Sequence, residues 1–224
     1  MPTECVSVIK ALVIRATLLD SCGIPLTGVG SAQVTTAGFV KVENSPNYED
    51  GERYLSKRAD GAPCINEQDA GFLNYVEQTI TVCTLDPDLF GLVTGDPIIT
   101  TDATNNTGVI HGGGVLSTRF SLETWQPVAG EGACDESGVP QYVYWAWPHC
   151  FDARIQGHNM ENAPFTLAWK DKTKPASTSW DIGDAYLGDN PASTWGTLRH
   201  WAWNITTVAP PTAACGAIVV PDVS

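Results

Sequence analysis

Residues 73–95, LNYVEQTITVCTLDPDLFGLVTG, change hydrophobic period part-way along. In the first half Val76, Ile80 and Val82 fall on one parity, and Tyr75, Glu77, Thr79 and Thr81 on the other. That alternation predicts a strand with one mainly apolar face. Thr79, Ile80, Thr81 and Val82 are β-branched and favour extended backbone. In the second half Leu89, Leu92 and Val93 recur at three- and four-residue spacing with Phe90 beside them, which predicts a short helix over residues 86–94. Asp86 is a capping residue, Pro87 suits the first helical position, and Gly95 suits a left-handed stop. One capped helix in a chain otherwise rich in strand signals is expected to cover a side or end of a sheet.

The rest of the chain reads mainly as strands. Residues 5–19 predict a first strand ending in a turn at residues 20–25, with Gly28 and Gly30 extending the loop, and residues 32–42 predict a second. Residues 43–69 are different. Glu43, Glu49, Asp50, Glu52, Asp60, Glu67 and Asp69 stand there against Arg53, Lys57 and Arg58, with turn signals at Asp50-Gly51 and Asp60-Gly61. This stretch is a solvated hairpin or a long loop reaching for another subunit. Residues 96–114 read as a linker. Residues 115–125 alternate, with Leu116, Thr118, Phe120, Leu122 and Thr124 on one face, and residues 142–147, 163–170 and 197–205 predict three further strands. Residues 209–224 predict an extended tail that docks elsewhere. No repeat of fixed period aligns, and the chain is read as one domain spanning residues 1–224.

Composition narrows the function. A net charge of −13 and no basic run longer than Lys57-Arg58 disfavour a protein that grips phosphates. No segment predicts a membrane-spanning helix, and the first residues lack the basic-then-apolar pattern of a secretion signal. Seven widely spaced cysteines (5, 22, 64, 83, 134, 150 and 215) include no CxxC pair, a pattern that favours free thiols in a reducing compartment over disulfides. Without a secretion signal, the glycosylation sequons at Asn105 and Asn204 carry little weight.

Candidate chemistry is sparse. His111-Gly112-Gly113-Gly114 resembles an esterase oxyanion-hole sequence, but no G-x-S-x-G elbow accompanies it, so a flexible turn is the better reading. His111, His149, His158 and His200 are too far apart for helical metal pairing, and His149 beside Cys150 reads as an ordinary strand end. Asp86 and Asp88 bracket Pro87 like paired carboxylates, yet capping and the helix dipole explain both. Seven of the eight tryptophans lie at or beyond Trp145. They read as buried strand aromatics, with a sugar-stacking platform as the alternative. No catalytic, cofactor-binding or metal-binding residue is predicted.

Several segments together carry a resemblance: RATLLDSCGIPLTG (15–28), AGFVKVENSPNYEDGERYLSKRADGAPCINE (37–67), CTLDPDLFGLVTG (83–95), FSLETW (120–125) and GAC (132–134). YVYWAWPHCFDARIQGHNMENAPFTLAWKDKTK (142–174) and the lone Trp195-Gly196 follow in order. The series resembles the major tail protein, or tail tube protein, of long-tailed (siphovirus-type) bacteriophages that infect actinobacteria, and the resemblance covers nearly the whole chain. It implies a mainly β fold, a β-sandwich or barrel-like tail tube fold with the 86–94 helix on its flank. It further implies a structural virion protein, not an enzyme, that self-assembles into stacked, hexameric rings. The tube conducts double-stranded DNA during ejection and meets other tail proteins at its ends. No cofactor, metal, membrane or small-molecule substrate is implied, and assembly takes place in the bacterial host cytoplasm. An acidic wall would let a duplex slide without sticking. On this reading residues 43–69 form the inter-ring loop, and sheet edges pair between subunits. A β-sandwich carbohydrate-binding or capsid-decorating module, and a secreted acidic hydrolase, remain as other readings.

Overall fold

The computed structural model describes residues 6–8, 10–101, 105–112, 114–158, 162, 164–188, 195 and 198–221. Cys5, Gly113, Ala163, Gly196 and Thr197, which carried parts of the expectations above, lie outside them.

The strand-to-helix unit forms as its periodicity predicts. Strand β7 (Phe72–Val82) buries Val76, Ile80 and Val82, and helix α1 (Pro87–Thr94) follows with Asp86 as its N-cap. The Asp86 carboxylate accepts hydrogen bonds from the backbone N–H groups of Asp88 (3.0 Å) and Leu89 (3.4 Å). Gly95 ends the helix at φ 76°, a left-handed conformation open to glycine, and its N–H reaches the Gly91 carbonyl. A Cβ there would also collide with the Thr118 hydroxyl. Leu89, Phe90, Leu92 and Val93 are all buried, and burial of each stabilises the fold by roughly 1.5–3 kcal/mol.

The architecture is mainly β. Before β7 come β1 (Ser7–Val8), β2 (Val13–Leu18), β3 (Gln33–Thr36), β4 (Phe39–Glu49), β5 (Arg53–Lys57) and β6 (Pro63–Gln68). After α1 come β8 (Ile98–Thr100), β9 (Asn106–Val109), β10 (Arg119–Ala129), β11 (Tyr142–Ile155), β12 (Leu167–Thr173), helix α2 (Asp184–Leu187) and β13 (Ala202–Thr206). One nine-stranded antiparallel sheet runs β3-β2-β10-β11-β12-β7-β4, with β1 added to β10 and β13 to β11; β5–β6 and β8–β9 are separate hairpins. At the β11 bulge between Phe151 and Arg154, Asp152 takes φ 57°. Such a bulge bends a strand and increases its twist. The sheet rolls far enough that Phe39 to Asn44 of β4 face Thr124, Trp145 and Trp147 across a groove of about 310 Å³.

Several expectations need correction. Residues 32–42 are not one strand: Ala37 and Gly38 separate β3 from β4. The expected linker at 96–114 contains the β8–β9 hairpin, which packs on α1. At 43–69 the structure shows the hairpin and not the long loop: the distal half of β4 is followed by the β5–β6 hairpin. The flanking helix is joined by a second, four-residue helix, α2. Strand β10 is buried on both faces, not one. Phe120 and Leu122 meet Ile80, Trp147, Trp169 and α1 on one side, while Trp125 meets Tyr144, Trp180, Tyr186 and Trp195 on the other. The tail does dock as expected, with Ile218 pairing with Gln33 and the buried Val220 bonded through its carbonyl to the Gly28 N–H (2.9 Å).

Candidate functional site

The tail and the helix start form one assembly. Asp86 Oδ2 accepts from the Gly216 N–H and Asp88 Oδ2 from the Ala217 N–H, both at 3.2 Å, and Asp88 Oδ1 accepts from Asn106 Nδ2 at 2.5 Å. The paired carboxylates therefore join helix, tail and β9 hairpin. Replacing Asp86 by Ala removes the cap and one tail anchor together. A loss of about 1–2 kcal/mol in urea unfolding is expected; a loss below a few tenths would show that neither bond matters.

Two features do reach outward. The first is an arm. Every residue of β5 and β6 is exposed, as is β4 beyond Val42, and among the described residues no other element packs beneath the hairpin. Tyr48, Tyr54, Leu55, Ile65 and Phe72 are exposed there despite their size. Beside the arm, β4 forms one end of the sheet path, and β13 and β1 each pair with a single strand, β11 and β10. Pro46 sits on the β4 edge, where a missing N–H breaks no ladder.

The second feature is a tryptophan face. Trp145 pairs directly with Trp203, and Trp147 and Trp201 occupy the next positions of the same face. Trp145 stacks on Trp147 (6.3 Å, 10°) and on Trp201 (5.7 Å, 23°), with Trp203 tilted beside it. Its indole N–H donates to Gln126 Oε1 at 2.9 Å. Trp125, Trp147, Trp169, Trp180 and Trp195 are buried, whereas Trp201 is 38% and Trp203 53% exposed. Beside the face lie the 310 Å³ groove, where Lys41 is the charged lining residue, and one of about 240 Å³, where Arg199 is.

Of the residues with chemical possibilities, Asp86, His111 and His158 line one mainly apolar cleft together with Asp96, whereas His149 and His200 lie elsewhere. His111 Nδ1 pairs with Asp96 Oδ2 at 2.5 Å beside this cleft of about 300 Å³. Burial alone would raise the Asp96 carboxyl, but hydrogen bonds from His111, Thr94 and the Gly112 N–H hold it below its ordinary range. His111 thus pins the β8–β9 hairpin to the helix end. Among the described residues no three His, Cys, Asp or Glu side chains gather as a metal set, and the six described cysteines are unpaired.

Two buried polar clusters escaped the sequence reading. Arg15 donates through Nε and Nη2 to the two carboxylate oxygens of Glu123, each at 2.6 Å, and Tyr144 donates to Oε1 at 2.6 Å. Arg15 also lies over the Trp125 and Tyr186 rings. Burial opposes the guanidinium charge, yet Glu123, by charge and hydrogen bond, more than offsets this and holds the Arg15 pKa above its ordinary value. Arg15 and Glu123 interrupt the buried strands β2 and β10 at positions that face each other. In the second cluster, Asp171 Oδ2 accepts from Trp169 Nε1 (3.0 Å); with the Gln78 amide turned to match its neighbours, its nitrogen donates to Asp171 Oδ1 (3.0 Å) and its oxygen accepts from Trp147 Nε1 (3.1 Å). Burial pushes the Asp171 carboxyl well above the usual range, against the bonds from Trp169 and Cys150. Both clusters are buried.

His149 sets a pH dependence. It is buried beside Gly23, and burial, with Arg119 and Lys174 nearby and Asp20 opposing, lowers its pKa to about 4. The folded state therefore disfavours the proton that the unfolded chain takes up below about 6.5. Stability from this group is fully present above that value and is lost as pH falls towards 4. His149→Asn is expected to flatten the fall in unfolding free energy between about pH 6.5 and 4.5; an unchanged slope would remove His149 as its source.

The fold and its surfaces define a mainly antiparallel β protein with two short helices, an exposed arm and an exposed aromatic face. No protein-family model matches the chain, and no curated protein matches it. Among the described residues no helix is long and apolar enough to cross a membrane.

Proposed function

We propose that this chain is the subunit of a phage tail tube, a structural, non-enzymatic protein that assembles into stacked rings around a channel for DNA. The observation that carries the proposal is the arm. An isolated two-stranded hairpin is marginal in water, and this one holds several large apolar side chains in solvent. A second copy of the chain supplies the missing contacts. The open edges of β4 and β13 offer backbone pairing between copies, as sheet edges do. The sequence resemblance supports the reading, as does a charge of −13, which suits a wall that must not hold DNA. The sandwich or barrel-like tail tube fold, the hexameric ring and a virion location belong to the same proposal. Sedimentation velocity over a concentration series tests it. Discrete oligomers and larger particles should grow at the expense of the 24.0 kDa subunit. A single subunit-sized species at every concentration would contradict it.

A further inference from the structure

The arm and the tryptophan face complement each other, and the inference drawn from them rests on the self-assembly just proposed. In the β5–β6 hairpin Tyr54 pairs with Glu67 and Ser56 with Ile65, so these four side chains share one face. Tyr54 is 47% and Ile65 49% exposed, and the Tyr54 hydroxyl donates to Glu52 at 3.2 Å. That face is apolar and acidic. The opposite face presents Leu55 between Arg53 and Lys57. On the body, Trp203 of β13 and Trp201, just before that strand, line one groove with Arg199, and Arg199 meets no carboxylate among the described residues. In a chain with 25 carboxylates and 12 Lys and Arg, the groove beside Trp201 and Trp203 presents Arg199 and, among the described residues, no carboxylate, whereas Lys41 of the other groove is paired with Glu43 at 3.0 Å.

We propose that the Tyr54–Ile65–Glu67 face of one copy's arm docks on the Trp201–Trp203 face of a second copy, with Glu67 meeting Arg199. Within one chain both surfaces are exposed, so the contact joins copies. The two surfaces are different patches of the same molecule, which makes the contact heterologous, the kind that closes into rings or runs on as a filament. A saccharide is the weaker occupant. Trp145 lies stacked between Trp147 and Trp201, and indole faces engaged with each other are not offered to sugar rings.

Reciprocal charge exchange in the full chain tests the pairing. Glu67→Lys alone and Arg199→Glu alone are each expected to raise the concentration needed for assembly about tenfold or more, since each sets like charges against each other. The double variant should return close to wild type. Trp201→Ala with Trp203→Ala should abolish assembly while near-ultraviolet circular dichroism reports an intact Trp125–Tyr144 core. Wild-type protein that assembles while all these variants assemble equally well would overturn the docking and leave the tube reading standing. Folded single variants that fail without rescue in the double would overturn the Glu67–Arg199 pairing. Wild-type protein that never assembles would overturn both. A saturable quench of tryptophan fluorescence by cello-oligosaccharides, in protein whose assembly ignores the tryptophan substitutions, would overturn the docking in favour of a sugar site.

Discussion

Replacing Arg15 by methionine is expected to destabilise the subunit by about 3–5 kcal/mol, because it leaves Glu123 buried without its counter-charge. The pair is inside the protein, with both oxygens of the carboxylate engaged by the guanidinium and one shared with the Tyr144 hydroxyl. The cost comes mainly from the orphaned carboxylate and less from the lost attraction. Replacing both partners, Arg15→Met with Glu123→Leu, should therefore recover most of the loss. Urea unfolding of the two variants checks this. A single substitution costing under about 1 kcal/mol would mean that water reaches Glu123, and a double costing as much as the single would point to packing of Arg15 on Trp125 and Tyr186.

The largest effect on assembly is expected from removing the arm. Glu49 pairs with Phe72 on the last rung between β4 and β7, so residues 50–71 can be replaced by Asn-Gly, a two-residue turn suited to closing an antiparallel pair. The sheet and both hydrophobic clusters lie away from this cut. The shortened chain should melt within a few degrees of the original and should form no rings or tubes. A shorter deletion, residues 48–62, should also prevent stacking, but it strips β6 of its partner β5 and is a less clean test. Tubes of normal appearance from either protein would show that the arm has no part in assembly.

The sequence was most informative where one period gives way to another. Leu73 to Val82 alternate because one side of β7 meets the core, and Leu89, Leu92 and Val93 recur at helical spacing because α1 lies on that core. Asp86, Pro87 and Gly95 marked both ends of the helix. The acidic stretch was legible as exposed, but the choice between a hairpin and a loop stayed open, since the β5–β6 hairpin has no buried face to impose alternation. The β8–β9 hairpin was hidden for a similar reason: its two short strands, with Thr, Asn and Gly among their few residues, carry little periodicity. Burial of β10 on both sides was concealed by Glu123 and Ser121, which read as solvent positions and lie at 0% exposure. The tryptophan face was legible as an aromatic concentration. Its division into buried and exposed members depends on the pairing of β13 with β11, a contact spanning about sixty residues of chain that no local pattern encodes.

Electron microscopy of the purified, concentrated protein tests the central claim most directly. Rings and hollow tubes with a central channel are expected from the full chain and should be absent once residues 50–71 are replaced. Protein that stays as isolated subunits on the grid at every concentration would contradict it.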